Sequence, residues 1–154
     1  MSETILRFLE PEAVSLGLNV TSAREVIENL GGKLYAAGYV KESFVEAALT
    51  RESQLPTGLP LAGEVNAAIP HTDVIHVKKS GLALATLTAP VVFKNMINPE
   101  EDVPCRLVFV MALDQPKAQV EMLQEIAGLL QNDALVARLV AAETYEDVKQ
   151  ALSS

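Results

Sequence analysis

The sequence predicts an α/β domain whose mixed β-sheet is flanked by helices on both faces. Three observations lead there. Helical periodicity occupies both the early and the late parts of the chain, and strand-like segments fill the middle. One of these, Leu107 to Leu113 (LVFVMAL), is apolar throughout, as a central strand covered on both faces must be. Strands and helices do not alternate regularly, which favours a mixed sheet over a purely parallel one. The chain has 154 residues, 49% of them hydrophobic, enough for one proper core, and no linker, repeat or low-complexity tract divides it. A single domain over 1–154 is the expectation.

Taken in order, Ser22 stands three residues before Glu25 in the manner of a capping box, and Val26, Ile27, Leu30 and Leu34 then share a helix face. Gly38 is a natural stop. A second helix is expected from about residue 41 to 52, burying Phe44, Val45, Ala48 and Leu49. Residues 54–63 contain Pro56, Gly58, Pro60 and Gly63 and read as a loop. Strands are expected at 64–69, ending at Pro70, then at 82–87 and 91–93 with a turn at Pro90 between them, and at 107–113 just after Pro104. Beyond Pro116 the helical pattern returns. Val120, Leu123, Ala127 and Leu130 form one stripe, and Leu135, Val136, Leu139 and Val140 form another after Asn132–Asp133. Thr144 with Asp147 opens a last helix carrying Val148 and Leu152.

Composition removes several functions. Twelve Lys and Arg against twenty Asp and Glu give a net charge of −8, with no cation cluster for a phosphate backbone, so nucleic acid is not an expected partner. The single cysteine, Cys105, rules out an internal disulfide framework and a multi-cysteine zinc site. No apolar run approaches the roughly 20 residues that cross a bilayer. Met1 to Phe8 carries only Arg7 as a cation and does not read as a signal peptide, so a soluble, cytoplasmic protein is expected. There is no G-x-S-x-G elbow, Walker A loop or G-x-G-x-x-G.

Both histidines, His71 and His76, lie in the stretch Ile69-Pro70-His71-Thr72-Asp73-Val74-Ile75-His76. Pro70 fixes its own φ and pushes Ile69 towards extended geometry, so a strand ends there and presents His71 at its mouth. An imidazole so placed serves as a nucleophile, an acid–base group or a metal ligand, or is hydrogen-bonded at a strand end without a chemical task. The residue types alone leave these open. His71, Asp73 and His76 lack the third and fourth convergent ligands of a zinc site, so no metal is expected. Cys105, leading into the apolar strand, reads as a packing residue. Upstream, Arg51 closes a helix where its charge suits the dipole, and a rigid turn with Thr57 and Gly58 follows.

The combination is more specific than its parts. Arg51-Glu52 at a helix end, the turn Pro56-Thr57-Gly58-Leu59 and the opening Ile69-Pro70-His71 together resemble the A component (EIIA) of the fructose/mannitol type in the bacterial phosphotransferase system. Within that superfamily the chain is most similar to the galactitol-like branch. There the loop between Arg-Glu and Pro-His is longer, and Ile-Pro-His-Thr-Asp is followed by a further His-Val, here His76-Val77. The resemblance spans essentially the whole chain.

What the resemblance implies is a phosphoryl relay within a fructose/mannitol-type EIIA fold. His71 matches the histidine that accepts a phosphoryl group from phospho-HPr and passes it to a cysteine of the cognate EIIB, for uptake and phosphorylation of a sugar or polyol through the membrane component EIIC. Arg51 would steady the phosphoryl charge with its forked donors, and Thr57 or the backbone near Gly58 would help hold the phosphate. No cofactor is implied. Fructose and mannitol domains have a second histidine where this chain has Gln119, whose amide can donate a hydrogen bond but carry no charge. The acidic group near Pro-His in mannitol domains has no counterpart, Glu64 being misaligned. His76 is read as a feature of the branch, and Leu59, Leu61 and Ile75 as apolar rim contacts. Some EIIA-like proteins keep the histidine and signal by phosphorylation-dependent protein binding, which is the competing reading.

Overall fold

Every strand but one pairs around two long central ones, and the chain order explains how. The computed structural model describes residues 3–153. Its elements are α1 (Glu3–Phe8), β1 (Leu9–Leu18), α2 (Ala23–Ala36), α3 (Phe44–Gln54), β2 (Gly58–Leu59), β3 (Asn66–Ala68), β4 (Gly81–Lys94), β5 (Asp102–Ala112), α4 (Pro116–Leu129), α5 (Asp133–Ala141) and α6 (Tyr145–Ser153), with a 3-10 turn at Val74–His76. The strands lie in the order β1-β4-β5-β3-β2. β1 runs parallel to β4, β4 antiparallel to β5, β5 parallel to β3, and β3 antiparallel to β2, so the expected mixed sheet is present.

Side-chain alternation along β5 shows why its sequence is continuously apolar. Leu107, Phe109 and Met111 join the core beneath α1, α4, α5 and α6, whereas Cys105, Val108, Val110 and Ala112 join the core beneath α2 and α3. Helices therefore cover both faces, as expected, and a strand buried twice has no polar side to show. Both capping positions are bonded, and the one at Thr144 closes as a reciprocal box. The Glu25 N–H donates to Ser22 Oγ (3.2 Å) while Ser22 Oγ donates to Glu25 Oε1 (3.1 Å). The Asp147 N–H donates to Thr144 Oγ1 (3.1 Å) and the Thr144 N–H to Asp147 Oδ2 (3.2 Å).

The structure departs from the sequence reading at several elements. The two strands expected at 82–87 and 91–93 are one strand. Its register breaks between Thr86–Leu107 and Val91–Cys105, and Thr88, Ala89 and Pro90 stand exposed there, so Pro90 sits in a bulge where its missing N–H costs no ladder bond. β5 likewise begins before Pro104, which is exposed and whose carbonyl accepts from Asn66 Nδ2 (3.0 Å). β3 keeps only Asn66–Ala68 of the expected 64–69, and the loop expected at 54–63 holds the two-residue strand β2. β1 was not anticipated. It is an edge strand whose Pro11 and Gly17 mask its pattern, and such residues are tolerated at edges. On α4 the buried stripe is Met122, Ile126 and Leu129, whereas Val120 is 56% exposed. Leu123 and Ala127 are only half-buried.

Phe109 is fully buried at the centre of the sheet. Phe109→Ala is expected to lower the unfolding free energy by about 3–5 kcal/mol, read as a fall in the urea midpoint at unchanged m-value.

Candidate functional site

His71 lies three residues beyond Ala68, the last residue of β3. The peptide that delivers it is pinned on all sides. The Ile69 N–H donates to Thr57 Oγ1 (3.2 Å), the Met111 N–H to the Pro70 carbonyl (3.0 Å), and Gln119 Nε2 to the Thr72 carbonyl (2.8 Å). Further on, the Lys41 N–H donates to the His76 carbonyl (2.9 Å), and the Asp73 carboxylate accepts the Ile75 N–H, capping the 3-10 turn. A loop held this firmly loses little entropy when a reacting group is placed on it.

His71 as a whole residue is 9% exposed, at the edge of being fully buried. Its Nδ1 is 2.8 Å from the Ile69 carbonyl oxygen. A carbonyl only accepts, so Nδ1 carries the proton and Nε2 of the neutral ring keeps its lone pair. Burial pushes the His71 pKa below the ordinary histidine value. The carbonyl bond opposes this, and the nearby positive charge of Arg51 adds to it. The neutral, nucleophilic form therefore prevails at physiological pH.

Arg51 rises from the last turn of α3. Its Nε is buried and has no hydrogen-bond partner, the one such side-chain nitrogen or oxygen among the described residues. A buried guanidinium donor left unpaired costs about 1–3 kcal/mol and is satisfied by an anion of the right geometry. A shallow depression of about 430 Å³ opens beside it, lined in part by Ser43, Glu46, Thr50, Thr72 and His76. His76 Nδ1 lies 2.8 Å from Ser43 Oγ. Among the described residues no three His, Cys, Asp or Glu side chains converge as metal ligands. Arg51 and Thr72 thus line one depression, the Arg51 charge acts on His71 next to Thr72, and Gln119 reaches the same loop through the Thr72 carbonyl.

Thr57 and Gly58 stand differently. The Thr57 N–H and hydroxyl both donate to the Glu52 carboxylate (2.8 and 2.9 Å), so neither is left to offer to a phosphate. Thr57 is only 2% exposed. Gly58 is required by close approach, since a Cβ there would lie 2.6 Å from the Lys94 carbonyl oxygen. Both residues therefore build the wall behind the site. Glu64 is exposed on the loop before β3. Cys105 is fully buried and its thiol is pushed up to about 12 by that burial, with the charge of Glu52 adding, which holds it protonated and inert.

Of the three expected rim contacts, Ile75 is 63% exposed, whereas Leu59 and Leu61 pack against the core under α4–α6. Two further apolar side chains stand exposed. Leu55, just past α3, and Val120, next to Gln119, are exposed on the elements that frame His71. The sequence reading passed over Glu52 as a separate participant, although its place beside Arg51 and five residues before Thr57 is a signal available in the sequence.

Residues 7–154 match the family described as phosphoenolpyruvate-dependent sugar phosphotransferase system, EIIA 2. The chain is 31% identical over 127 residues to the galactitol-specific EIIA component of Escherichia coli (strain K12), covering 82% of this chain and 83% of that one. Its fold superposes with a TM-score of 0.75 on the complex of enzyme IIA and phosphorylated enzyme IIB of the Escherichia coli mannitol system, at 28% identity, over 94% of this chain and 96% of the other. It is also similar in fold to the nitrogen regulatory protein IIA-Ntr of Neisseria meningitidis (TM-score 0.74, 23% identity, 97% and 99% covered). Among the described residues no helix is long and apolar enough to cross a membrane.

The depressed His71 pKa fixes a pH response. The folded site resists a proton that the unfolded chain binds near the ordinary value of 6.5, so stability drawn from neutral His71 is complete above that pH and is lost as pH falls. In an NMR titration the His71 ring is expected to have its midpoint below 6.5, and a midpoint at or above that value contradicts the assigned environment.

Proposed function

Because the chain belongs to the EIIA 2 family of the phosphoenolpyruvate-dependent sugar phosphotransferase system, we propose that His71 is its phosphoryl acceptor, charged by phospho-HPr and discharged to a cysteine of a cognate EIIB. The observation that carries this is the pairing of a neutral imidazole, its Nδ1–H committed to the Ile69 carbonyl, with a buried Arg51 Nε that lacks a partner among the described residues. Similarity to a galactitol-specific EIIA component supports a sugar or polyol of that kind as the final acceptor, reached indirectly through EIIC. We take 1–154 as one EIIA domain, working in the cytoplasm between its two protein partners, with no cofactor of its own.

The chemistry follows from the free nitrogen. The Nε2 lone pair attacks the phosphorus of the donor's phosphohistidine as the donor's P–N bond breaks and returns its electron pair to the donor ring. The product ring gains positive character, which strengthens the Nδ1–H bond to the Ile69 carbonyl as transfer proceeds. Arg51 has two effects. Its charge disfavours a proton on the ring, and it favours the equatorial oxygens of a phosphoryl group, so it selects phosphoryl over proton at the same nitrogen. In the second step a thiolate takes the phosphoryl group and the N–P electron pair returns to Nε2. Gln119 acts on this centre through the loop, by holding Thr72.

Partners must bind and leave quickly, which suits a modest interface. Ile75, Leu55 and Val120 supply exposed apolar contacts on the framing elements. The mannitol IIA–IIB complex supports EIIB as one partner. The likeness to IIA-Ntr is one of fold and does not by itself favour a regulatory role. Turnover of the phosphoryl group onto a purified EIIB cysteine separates transport from regulation.

Two outcomes test the reading. With labelled phosphoenolpyruvate, enzyme I and HPr, His71→Gln is expected to fold and to take up no acid-labile, base-stable label, whereas retained label refutes the assignment. Arg51→Lys is expected to slow transfer by about tenfold or more, equivalent to roughly 1.4 kcal/mol, in rapid-quench measurements. An unchanged rate would make Arg51 a helix-end residue only.

A further inference from the structure

Two polar side chains that stay off the phosphoryl path are wired to it. Glu52, half-buried in the last turn of α3, accepts the Thr57 N–H at Oε2 (2.8 Å) and the Thr57 hydroxyl at Oε1 (2.9 Å). Having given its proton to Glu52, Thr57 Oγ1 accepts the Ile69 N–H (3.2 Å), and the Ile69 carbonyl in turn accepts His71 Nδ1–H (2.8 Å). Four residues thus form one directional chain from a carboxylate to the ring of the acceptor histidine.

We propose that Glu52 and Thr57 are positioning residues that set the tautomer and aim of His71 by immobilising the Ile69 backbone. This rests on the reading of His71 as acceptor. The mechanical case is local. Ile69 is held at its N–H by Thr57, and the next residue, Pro70, is held at its carbonyl by the Met111 N–H (3.0 Å). The Ile69 carbonyl lies between these two anchors, and a residue before proline has little freedom in ψ. It cannot turn away from the imidazole without breaking one anchor or the other. Were it free to rotate, the Nδ1–H tautomer would lose its acceptor, and part of the population would place the proton on Nε2, where it blocks attack.

The electrostatic arrangement agrees. Burial raises the pKa of Glu52, and its two bonds from Thr57 pull in the other direction. A carboxylate kept half-buried against that cost, with no cation in hydrogen-bond contact among the described residues, suits an orienting role better than a stabilising one. Thr57 suits it too, because a β-branched side chain has few χ1 choices and holds its oxygen in one direction. Valine would fill the same space and leave the Ile69 N–H unpaired.

The test uses the full chain with ¹⁵N-labelled histidine, before any phosphorylation. Long-range ¹H–¹⁵N spectra above the titration range report the tautomer, with the His76 ring as internal reference. Wild type is expected to hold His71 in the Nδ1–H form. Thr57→Val is expected to give a mixture of tautomers and phosphorylation by phospho-HPr at least about tenfold slower, and Thr57→Ser to restore both. Glu52→Gln is expected to move both readouts the same way by a smaller factor, and it serves in place of Thr57→Val should that variant not fold. The relay is overturned if Thr57→Val, or Glu52→Gln in its stead, keeps a single tautomer and the wild-type rate, or if Thr57→Ser recovers neither. A wild type with the Nδ1–H tautomer that accepts no phosphoryl group sinks the acceptor role and leaves the relay standing. A wild type that is phosphorylated on His71 from mixed tautomers does the reverse.

Discussion

The hydrogen bond from His71 Nδ1–H to the Ile69 carbonyl is the constraint on which the site depends. Without it a neutral imidazole divides its proton between two nitrogens, and the nucleophilic one is exposed only part of the time. With it, the reactive lone pair has a fixed address. On the proposed role of His71 as acceptor, the bond also gains strength as phosphorus arrives and the ring becomes more positive, so it acts on the transition state more than on the resting protein. Arg51 complements it with a buried Nε that nothing among the described residues satisfies. In the proposed function one group prepares the nitrogen and the other receives the anion.

The fold serves this geometry through anchoring. β5 is buried on both faces along most of its length and is paired with β4 on one side and β3 on the other, so it is a well-anchored reference for the site. His71 hangs from it by the Met111–Pro70 bond, and α4 reaches the same loop through Gln119. α3 contributes Arg51 and Glu52 from consecutive positions, one towards the ring and one towards the backbone behind it. α5 and α6 complete the core that takes Leu107, Phe109 and Met111 from β5.

Much of this was legible in the sequence, and the reasons differ by residue. Capping boxes at Ser22 and Thr144 declare themselves because their bonds are local. The Leu107–Leu113 run betrays double burial, and Pro70 before His71 marks a strand mouth. Pro90 misled because a proline inside a bulge and a proline in a turn look alike from the sequence, and only the pairing of β4 with β5 separates them. β1 was hidden since edge strands tolerate Pro11 and Gly17. At the site, the family resemblance gave His71, Arg51 and Gln119, whose roles the residue types alone left open. Neither could give the direction of the Thr57 hydroxyl, which a hydrogen bond to Glu52 decides, and so the turn was read as a phosphate cradle. Leu59 and Leu61 were misplaced as rim contacts for a similar cause: apolar residues in a loop look equally suited to a partner or to the core.

The most direct measurement is the position of phosphorus on the charged protein. Long-range ¹H–¹⁵N and ³¹P spectra of the ¹⁵N-histidine chain after loading from phospho-HPr resolve the two ring nitrogens. The account predicts phosphorus on Nε2 of His71 with Nδ1 still protonated towards the Ile69 carbonyl. Phosphorus on Nδ1, or on His76, would contradict it.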